Sequence, residues 1–150
     1  MYHAIVRQKI RQSFDYLNGG DYESVVKLFA PTIHHTFAGD GAMGGERRGI
    51  DAAKKWYPRL FRLWPGLRFE LRDVVIQGTP WNTQVVTRFK VQSTLPDGEP
   101  YQNEVIQFIT LRWGRIFAMN MYEDTQKLAA ALECKAAHGL AEAVAPPILN

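Results

Sequence analysis

The first part of the chain carries apolar residues at helical spacing. Val6, Ile10 and Phe14 follow one another at intervals of four residues, so they share one face of a helix from about residue 3 to residue 18. Gly19 comes directly afterwards, as is typical of a helix end. The pattern predicts an amphipathic helix whose apolar face packs on the rest of the domain.

Two further helices are predicted before the pattern changes. Asp21 is placed to cap the second, which stops before Pro31 because proline cannot continue a helix. The third covers about residues 51 to 64, and Pro58 inside it predicts a kink or a split. Three N-terminal helices are therefore expected.

Alternating apolar and polar residues, which are typical of strands, dominate the second half. A short strand is predicted at residues 32–37, and four antiparallel strands are predicted between about residues 68 and 124. The alternation of the first of these four shifts near Asp73, which predicts a bulge. A last helix is predicted over residues 125–138. Helices on one face of a curved antiparallel sheet give an α+β fold.

Two segments lack regular patterns. Residues 38–49 (AGDGAMGGERRG) are rich in glycine but lack the spacing of a phosphate-binding loop, so they are interpreted as a mobile lid or rim without an apolar anchor. Residues 139–150 form a C-terminal tail in which Pro146 and Pro147 prevent regular structure, although its apolar residues favour packing on something. Residues 1–138 are expected to form a single domain.

Composition narrows the classes of function. A hydrophobic fraction of 46% and a charged fraction of 22% are typical of a globular protein. The net charge of +3 is dispersed, so no nucleic-acid partner is expected. With Cys134 as the single cysteine, an internal disulfide or a cysteine-based metal cage is excluded, and no metal site is predicted. Without a membrane-length apolar run or a signal peptide, we expect a cytoplasmic protein that does not bind membranes.

Several motifs resemble the nuclear transport factor 2-like superfamily. They are LNGGDYESVVKLFAP, the I-x-H strand, G-I-D-A-A, LWPGLRFELRDVVIQG, the DG-x-x-Y hairpin, and G-R-I followed by Y-E-D-T. Within it the chain resembles the SnoaL-like polyketide cyclases, relatives of ketosteroid isomerase and limonene epoxide hydrolase. The resemblance implies a cone-shaped, curved antiparallel or mixed sheet, as in a cystatin-like α+β roll, with the three N-terminal helices on its concave face. It also implies a pocket beneath those helices and a homodimer formed through the convex face of the sheet.

The resemblance also suggests catalytic residues. The polyketide cyclases carry a histidine on the first strand and an acid near the end of the domain, and His35 and Asp124 match both positions. Ser13 occupies the position of the tyrosine donor of ketosteroid isomerase, and Lys90 replaces the middle acid of limonene epoxide hydrolase. Epoxide hydrolysis by that route is therefore not predicted.

Both catalytic candidates have structural alternatives. His35 could be a hydrogen-bonded structural histidine, and Asp124 could be the N-cap of the last helix. If the catalytic interpretation holds, the two side chains share one apolar cup. Further residues are predicted to bind substrate as its wall: Tyr16, Trp56, Leu60, Arg88 and Asn103.

A histidine and a carboxylate in an apolar pocket favour general acid–base chemistry. The predicted function is therefore aldol-type cyclisation, isomerisation or dehydration of an apolar carbonyl compound. An enzyme of the isomerase, lyase or cyclase type is favoured, and no cofactor is expected. The alternative is a non-catalytic domain of the same fold that binds a hydrophobic ligand or takes part in assembly.

Overall fold

Six strands form a single curved sheet, and helices cover its inner face. The computed structural model describes the whole chain, Met1–Asn150. The strands are β1 (Phe29–Phe37), β2 (Gly45–Arg48), β3 (Arg68–Thr79), β4 (Asn82–Thr94), β5 (Pro100–Arg112) and β6 (Arg115–Tyr122). The helices are α1 (Tyr2–Asn18), α2 (Tyr22–Val26), α3 (Ile50–Ala53), α4 (Trp56–Leu63) and α5 (Thr125–Ala137), and a 3-10 turn covers Ala141–Val144.

The sheet has the strand order β2-β1-β6-β5-β4-β3. Strands β1 and β6 are parallel, and every other neighbouring pair is antiparallel. The predicted α+β class, the mixed sheet and the run of four antiparallel strands are therefore confirmed. The register of β3 shifts between Leu71 and Asp73, which confirms the bulge predicted there.

The N-terminal helices largely follow the predicted pattern. Helix α1 buries Val6, Ile10 and Phe14, as expected. The Asp21 side chain accepts a hydrogen bond from the backbone N–H of Ser24 and so caps α2. None of the helices is long and apolar enough to cross a membrane.

Two helix boundaries differ from the prediction. Helix α2 ends at Val26, because Phe29 already belongs to β1 and is almost fully buried. The predicted third helix is split, as Pro58 suggested, but the break lies before the proline. Pro58 is in the first turn of α4, where its missing N–H removes no hydrogen bond.

The glycine-rich segment is packed into the domain, contrary to the expectation that it lacks an apolar anchor. Ala42 and Met43 are each 1% exposed, and the Met43 carbonyl accepts a hydrogen bond of 2.8 Å from the indole N–H of Trp56. Residues Gly45–Arg48 of this segment form β2, which pairs with β1. This strand is stabilised by pairing with a neighbouring strand and carries no local alternation. The sequence pattern therefore did not predict it.

The C-terminal tail forms hydrogen bonds with β2 and α4 at the surface of the domain. The guanidinium of Arg47 donates to the carbonyl of Ile148 at 2.9 Å, and that of Arg59 donates to the carbonyl of Pro146 at 2.7 Å. The Asn150 side chain bonds both the N–H and the carbonyl of Arg48. The apolar tail therefore packs on its own domain, along β2, which is an edge strand.

The outer face of the sheet exposes apolar side chains at neighbouring strands. Phe108 and Tyr122 are 47% and 50% exposed, and their rings lie 6.2 Å apart.

The predicted homodimer through this face stays a prediction. We expect sedimentation to show a dimer at micromolar concentration and Phe108→Asp to shift it to monomer, because a buried charge opposes association. The more exposed turn residue Trp113, at 73%, supplies the control, Trp113→Asp, and a monomeric wild-type protein would contradict the prediction.

Candidate functional site

A cavity of about 80 Å³ lies between the inner face of the sheet and the helices that cover it. Of its 24 lining residues, 21 are hydrophobic, and the others are Ser13, Gln107 and Glu123. No lysine, arginine, histidine or aspartate lines it. A ligand in this cavity therefore meets aromatic and aliphatic surface, with hydrogen-bonding groups at only a few points.

Glu123 is the carboxylic acid of the cavity. It directly follows β6, where Met119, Met121 and Glu123 point inward in alternation. Its carboxyl group forms no ion pair. Burial raises the pKa of Glu123 to about 8, and the negative charge of the neighbouring Asp124 adds to the effect. The carboxyl is therefore mostly protonated at neutral pH and can lose or take up a proton near physiological pH.

Tyr101 lies near Glu123 on the same wall. Burial is the main cause that raises the pKa of Tyr101, and the charge of Glu123 raises it further, which reflects their proximity. Its ring stacks on Trp64 with a centroid distance of 4.5 Å. Its hydroxyl oxygen accepts a hydrogen bond of 3.0 Å from the side-chain amide of Asn103. The phenolic O–H thus stays free to donate to a ligand.

Asn103 holds the two elements of this site together. Its side-chain N–H₂ donates to the Tyr101 hydroxyl and to the backbone carbonyl of Asp124, each at 3.0 Å. Asn103 does not line the cavity, although it was predicted as a wall residue. It positions Tyr101 on β5 relative to the junction of β6 and α5, which carries Glu123.

His35 lies behind the cavity wall. It is fully buried next to Trp56 and Tyr57, whose rings do line the cavity. Nδ1 of His35 accepts a hydrogen bond of 3.1 Å from Nε of Arg47, so the ring proton is on Nε2, which has no partner. Burial, and then the charges of Arg47 and His34, hold the pKa of His35 well below its usual value. His35 is a neutral, buried histidine.

Asp124 lies outside the cavity as well. It is exposed, and its carboxylate accepts a hydrogen bond of 3.1 Å from the backbone N–H of Lys127, which makes it the N-cap of α5. The structure therefore does not bring His35 and Asp124 together in one cup. Their catalytic roles remain predictions, and the hydrogen bonds they make are those of the structural alternatives.

Of the other predicted wall residues, some line the cavity and others lie outside it. Trp56 and Leu60 line the cavity. Tyr16 is partly buried against the core but does not reach the cavity. The placement of Arg88 in the wall is wrong: it lies on the outer face, in ion pairs with Asp73 and Glu104. Since Phe89 faces inward, the alternation of β4 forces Arg88 outward.

Across the chain, no group of three or more histidine, cysteine, aspartate or glutamate side chains is arranged to hold a metal ion. Among the groups that line the cavity, the Glu123 carboxyl and the Tyr101 phenol can supply acid–base chemistry. Both can donate a hydrogen bond to a ligand oxygen, and the carboxyl can also exchange a proton near pH 8.

Comparison with known proteins assigns the fold. A model of the SnoaL-like domain matches residues 10–119. The chain belongs to the SnoaL-like family. The matched residues end before Glu123, so the cavity acid of this SnoaL-like protein lies just outside the segment that defines the family match. No significant match is found among curated proteins.

Solved structures of other proteins share this SnoaL-like fold. A proposed SnoaL-like polyketide cyclase from Jannaschia sp. CCS1 is 18% identical, with 83% of this chain and 88% of that chain covered and a TM-score of 0.68. TerC, crystallised with polyporic acid, is 20% identical (84% and 96% covered, TM-score 0.69). IdmH, a proposed polyketide cyclase from Streptomyces antibioticus, is 20% identical (85% and 97% covered, TM-score 0.68). At this level of identity the likeness establishes the fold only.

The pKa of Glu123 predicts a specific pH dependence of stability. The folded state holds this proton up to about pH 8, whereas the unfolded chain releases it near 4.5. Between these two pH values the folded state therefore binds more protons than the unfolded chain. The contribution of Glu123 to the free energy of unfolding falls as pH rises through this range. We expect urea unfolding of wild-type protein at pH 5 and pH 8.5 to show this loss relative to Glu123→Gln. Parallel pH profiles for the two proteins would contradict the raised pKa.

Proposed function

We propose that this SnoaL-like protein catalyses proton transfer at the carbon next to a carbonyl group, with Glu123 as the base and Tyr101 as the donor to the carbonyl oxygen. The observation that carries the proposal is a carboxyl group with a pKa of about 8 in an otherwise apolar cavity. A base of that strength is well matched to catalysis near neutral pH. Enolisation is the step shared by aldol-type cyclisation, isomerisation and dehydration of a carbonyl compound.

The proton transfer proceeds through the ionised form of Glu123. The carboxylate takes a proton from the α-carbon, the C–H bond breaks, and its electron pair moves into the carbonyl group. Negative charge then develops on the carbonyl oxygen, to which the free O–H of Tyr101 donates a hydrogen bond. Glu123 is left protonated and returns its proton to the same carbon or to another one. The apolar surroundings strengthen both interactions because they exclude competing water.

This proposal can be tested without knowledge of the natural substrate. Cyclohexanone in D₂O exchanges its α-protons for deuterium when it enolises, and NMR follows the exchange. We expect wild-type protein to accelerate exchange, with a rate that rises with pH and levels off above about pH 8, where Glu123 is ionised. Tyr101→Phe should exchange more slowly at the same plateau pH. Exchange no faster than in buffer would contradict the proposal.

A non-catalytic ligand-binding domain is the second candidate, and the composition of the cavity wall favours it. With 21 of 24 lining residues hydrophobic, the cavity can bind an apolar compound without reacting with it. A ligand that binds equally well to wild-type protein and to Glu123→Gln, with no α-proton exchange in either, would support this candidate.

A further inference from the structure

We propose that two turns at one end of the sheet bind the surface of an anionic lipid bilayer. The turns are residues 80–81, between β3 and β4, and residues 113–114, between β5 and β6. This inference does not rest on the cavity or on the proposed reaction. It differs from the sequence-based expectation of no membrane binding, which rests on the lack of a membrane-length apolar run. Binding at the surface of a bilayer requires no such run.

Two exposed tryptophans lie at these turns. Trp81 is 59% exposed and Trp113 is 73% exposed, and their ring centroids lie 6.1 Å apart. Both turns end hairpins at the same end of the sheet, where Thr83 of β4 pairs with Leu111 of β5. The backbone N–H of Trp113 also donates to the carbonyl of Pro80 at 2.7 Å. The regular strands and this bond therefore hold the two indoles side by side.

Trp113 has a backbone conformation that tryptophan rarely adopts. Its φ is 51°, and it is the only residue other than glycine with a positive φ. Gly114 follows with a φ of 78°, and a two-residue turn with both φ angles positive favours Asn-Gly. A bulky side chain is strained there, and the exposed indole gains little from burial. Since neither the turn nor the core favours tryptophan at this position, the indole is placed for contact with something outside the chain.

The charged side chains at these turns are positive. Arg112 and Arg115 flank the second turn, and the Arg115 guanidinium donates to the backbone carbonyl of Lys27 at 3.2 Å. None of these three cations forms an ion pair, and Glu23, one helical turn before Lys27, does not pair with it. The segments that meet here contain no aspartate or glutamate; they are residues 1–5, 27–28, 78–83 and 111–116.

An anionic bilayer surface matches both properties of this end of the molecule. Indole rings favour the boundary between water and hydrocarbon, where the ring is buried and its N–H stays near polar headgroups. Anionic headgroups attract lysine and arginine side chains close to the surface. Hairpin turns can enter the headgroup region without a complementary pocket. A second copy of the chain fits less well, because a symmetric contact here would place the same cations against one another.

Sedimentation with lipid vesicles tests the proposal. The vesicles contain phosphatidylcholine alone or phosphatidylcholine mixed with phosphatidylserine. We expect wild-type protein to bind the mixed vesicles at least about tenfold more tightly than the neutral ones. High salt should reduce this preference because it screens the attraction between the cations and the headgroups. No binding to the mixed vesicles, or equal binding to both kinds, would overturn the proposal.

Trp113→Asn separates a role in binding from a role in folding. Asparagine is favoured in this turn, so the urea midpoint of the variant should equal or exceed that of wild type. Its affinity for the mixed vesicles should fall at least about tenfold, because one of the two indoles is lost. Val144, which is 65% exposed in the 3-10 turn outside the sheet, supplies the control Val144→Asn, which should bind like wild type. Unchanged binding by Trp113→Asn, or an equal loss in the control, would overturn the proposal.

Arg112→Gln tests the contribution of charge in the same assay. Glutamine keeps a polar side chain at this exposed position but removes one cation. Binding to the mixed vesicles should weaken about fivefold, and binding to the neutral vesicles should not change. Unchanged binding to the mixed vesicles, or an equal loss with both kinds, would show that anionic headgroups are not recognised here.

Tryptophan fluorescence distinguishes a bilayer from an acidic protein partner. Trp56 and Trp64 are 3% and 2% exposed, so Trp81 and Trp113 are the tryptophans that can move from water into lipid. We expect the emission of wild type to shift to shorter wavelength with the mixed vesicles, and the shift to be smaller in Trp113→Asn. Soluble polyglutamate, which carries negative charge without lipid, should cause no such shift. An equal shift with polyglutamate, or none with vesicles, would overturn the proposal.

Discussion

Glu123→Gln is expected to slow α-proton exchange by about a hundredfold to ten-thousandfold, the range typical for loss of a general base. Glutamine keeps the shape and hydrogen-bonding capacity of the protonated carboxyl, so the fold and the cavity should stay intact. What is lost is the ability to accept a proton. The measurement is the rate of deuterium incorporation at pH 8.5, where most wild-type Glu123 is ionised.

Asp124→Asn is the matched control at the neighbouring carboxylate. Asparagine caps a helix about as well as aspartate, so α5 should be preserved. Removing the charge of Asp124 lowers the pKa of Glu123, so the midpoint of the pH–rate profile should move to lower pH while the plateau rate changes little. A large loss of rate in Asp124→Asn with none in Glu123→Gln would reverse the two roles and make Asp124 the base.

The fold could be predicted from the sequence because its signals are local. Alternation along β4 and β5 assigns each residue to a face, and the helical spacing in α1 assigns its buried side. Strand β2 could not be found in this way, since its four residues carry no alternation and are held by pairing with β1. The break between α3 and α4 could be anticipated from Pro58 but not placed.

The site was harder to predict because alternation gives the face of a residue but not its depth. His35 has the inward phase that was predicted, yet it lies behind Trp56 and Tyr57 instead of in the cavity. Glu123 and Asp124 are adjacent acids, and only one of them can continue the inward phase of β6. The alternation of Met119 and Met121 pointed to Glu123, and the start of α5 pointed to Asp124 as its cap.

Arg47→Ala is expected to lower the free energy of unfolding by about 3–5 kcal/mol, the combined cost of leaving buried acceptors unpaired and opening a cavity. Arg47 is fully buried, and no carboxylate pairs with it. Its donors instead satisfy Nδ1 of His35 and the carbonyls of Gly44 and Ile148. Without the guanidinium, Nδ1 of His35 and the Gly44 carbonyl stay buried and unpaired, the Ile148 carbonyl is released, and a cavity forms beside them.

The adjacent residue provides a control within the same strand. Arg48 has a side chain that is 69% exposed and forms a surface ion pair with Glu46, so Arg48→Ala should cost no more than about 1 kcal/mol. Urea unfolding measures both changes. Limited proteolysis gives a second readout, because Arg47→Ala also releases the Ile148 carbonyl and should make the C-terminal tail easier to cleave. Equal losses of stability in the two variants would show that the buried network around His35 does not hold β2 and the tail in place.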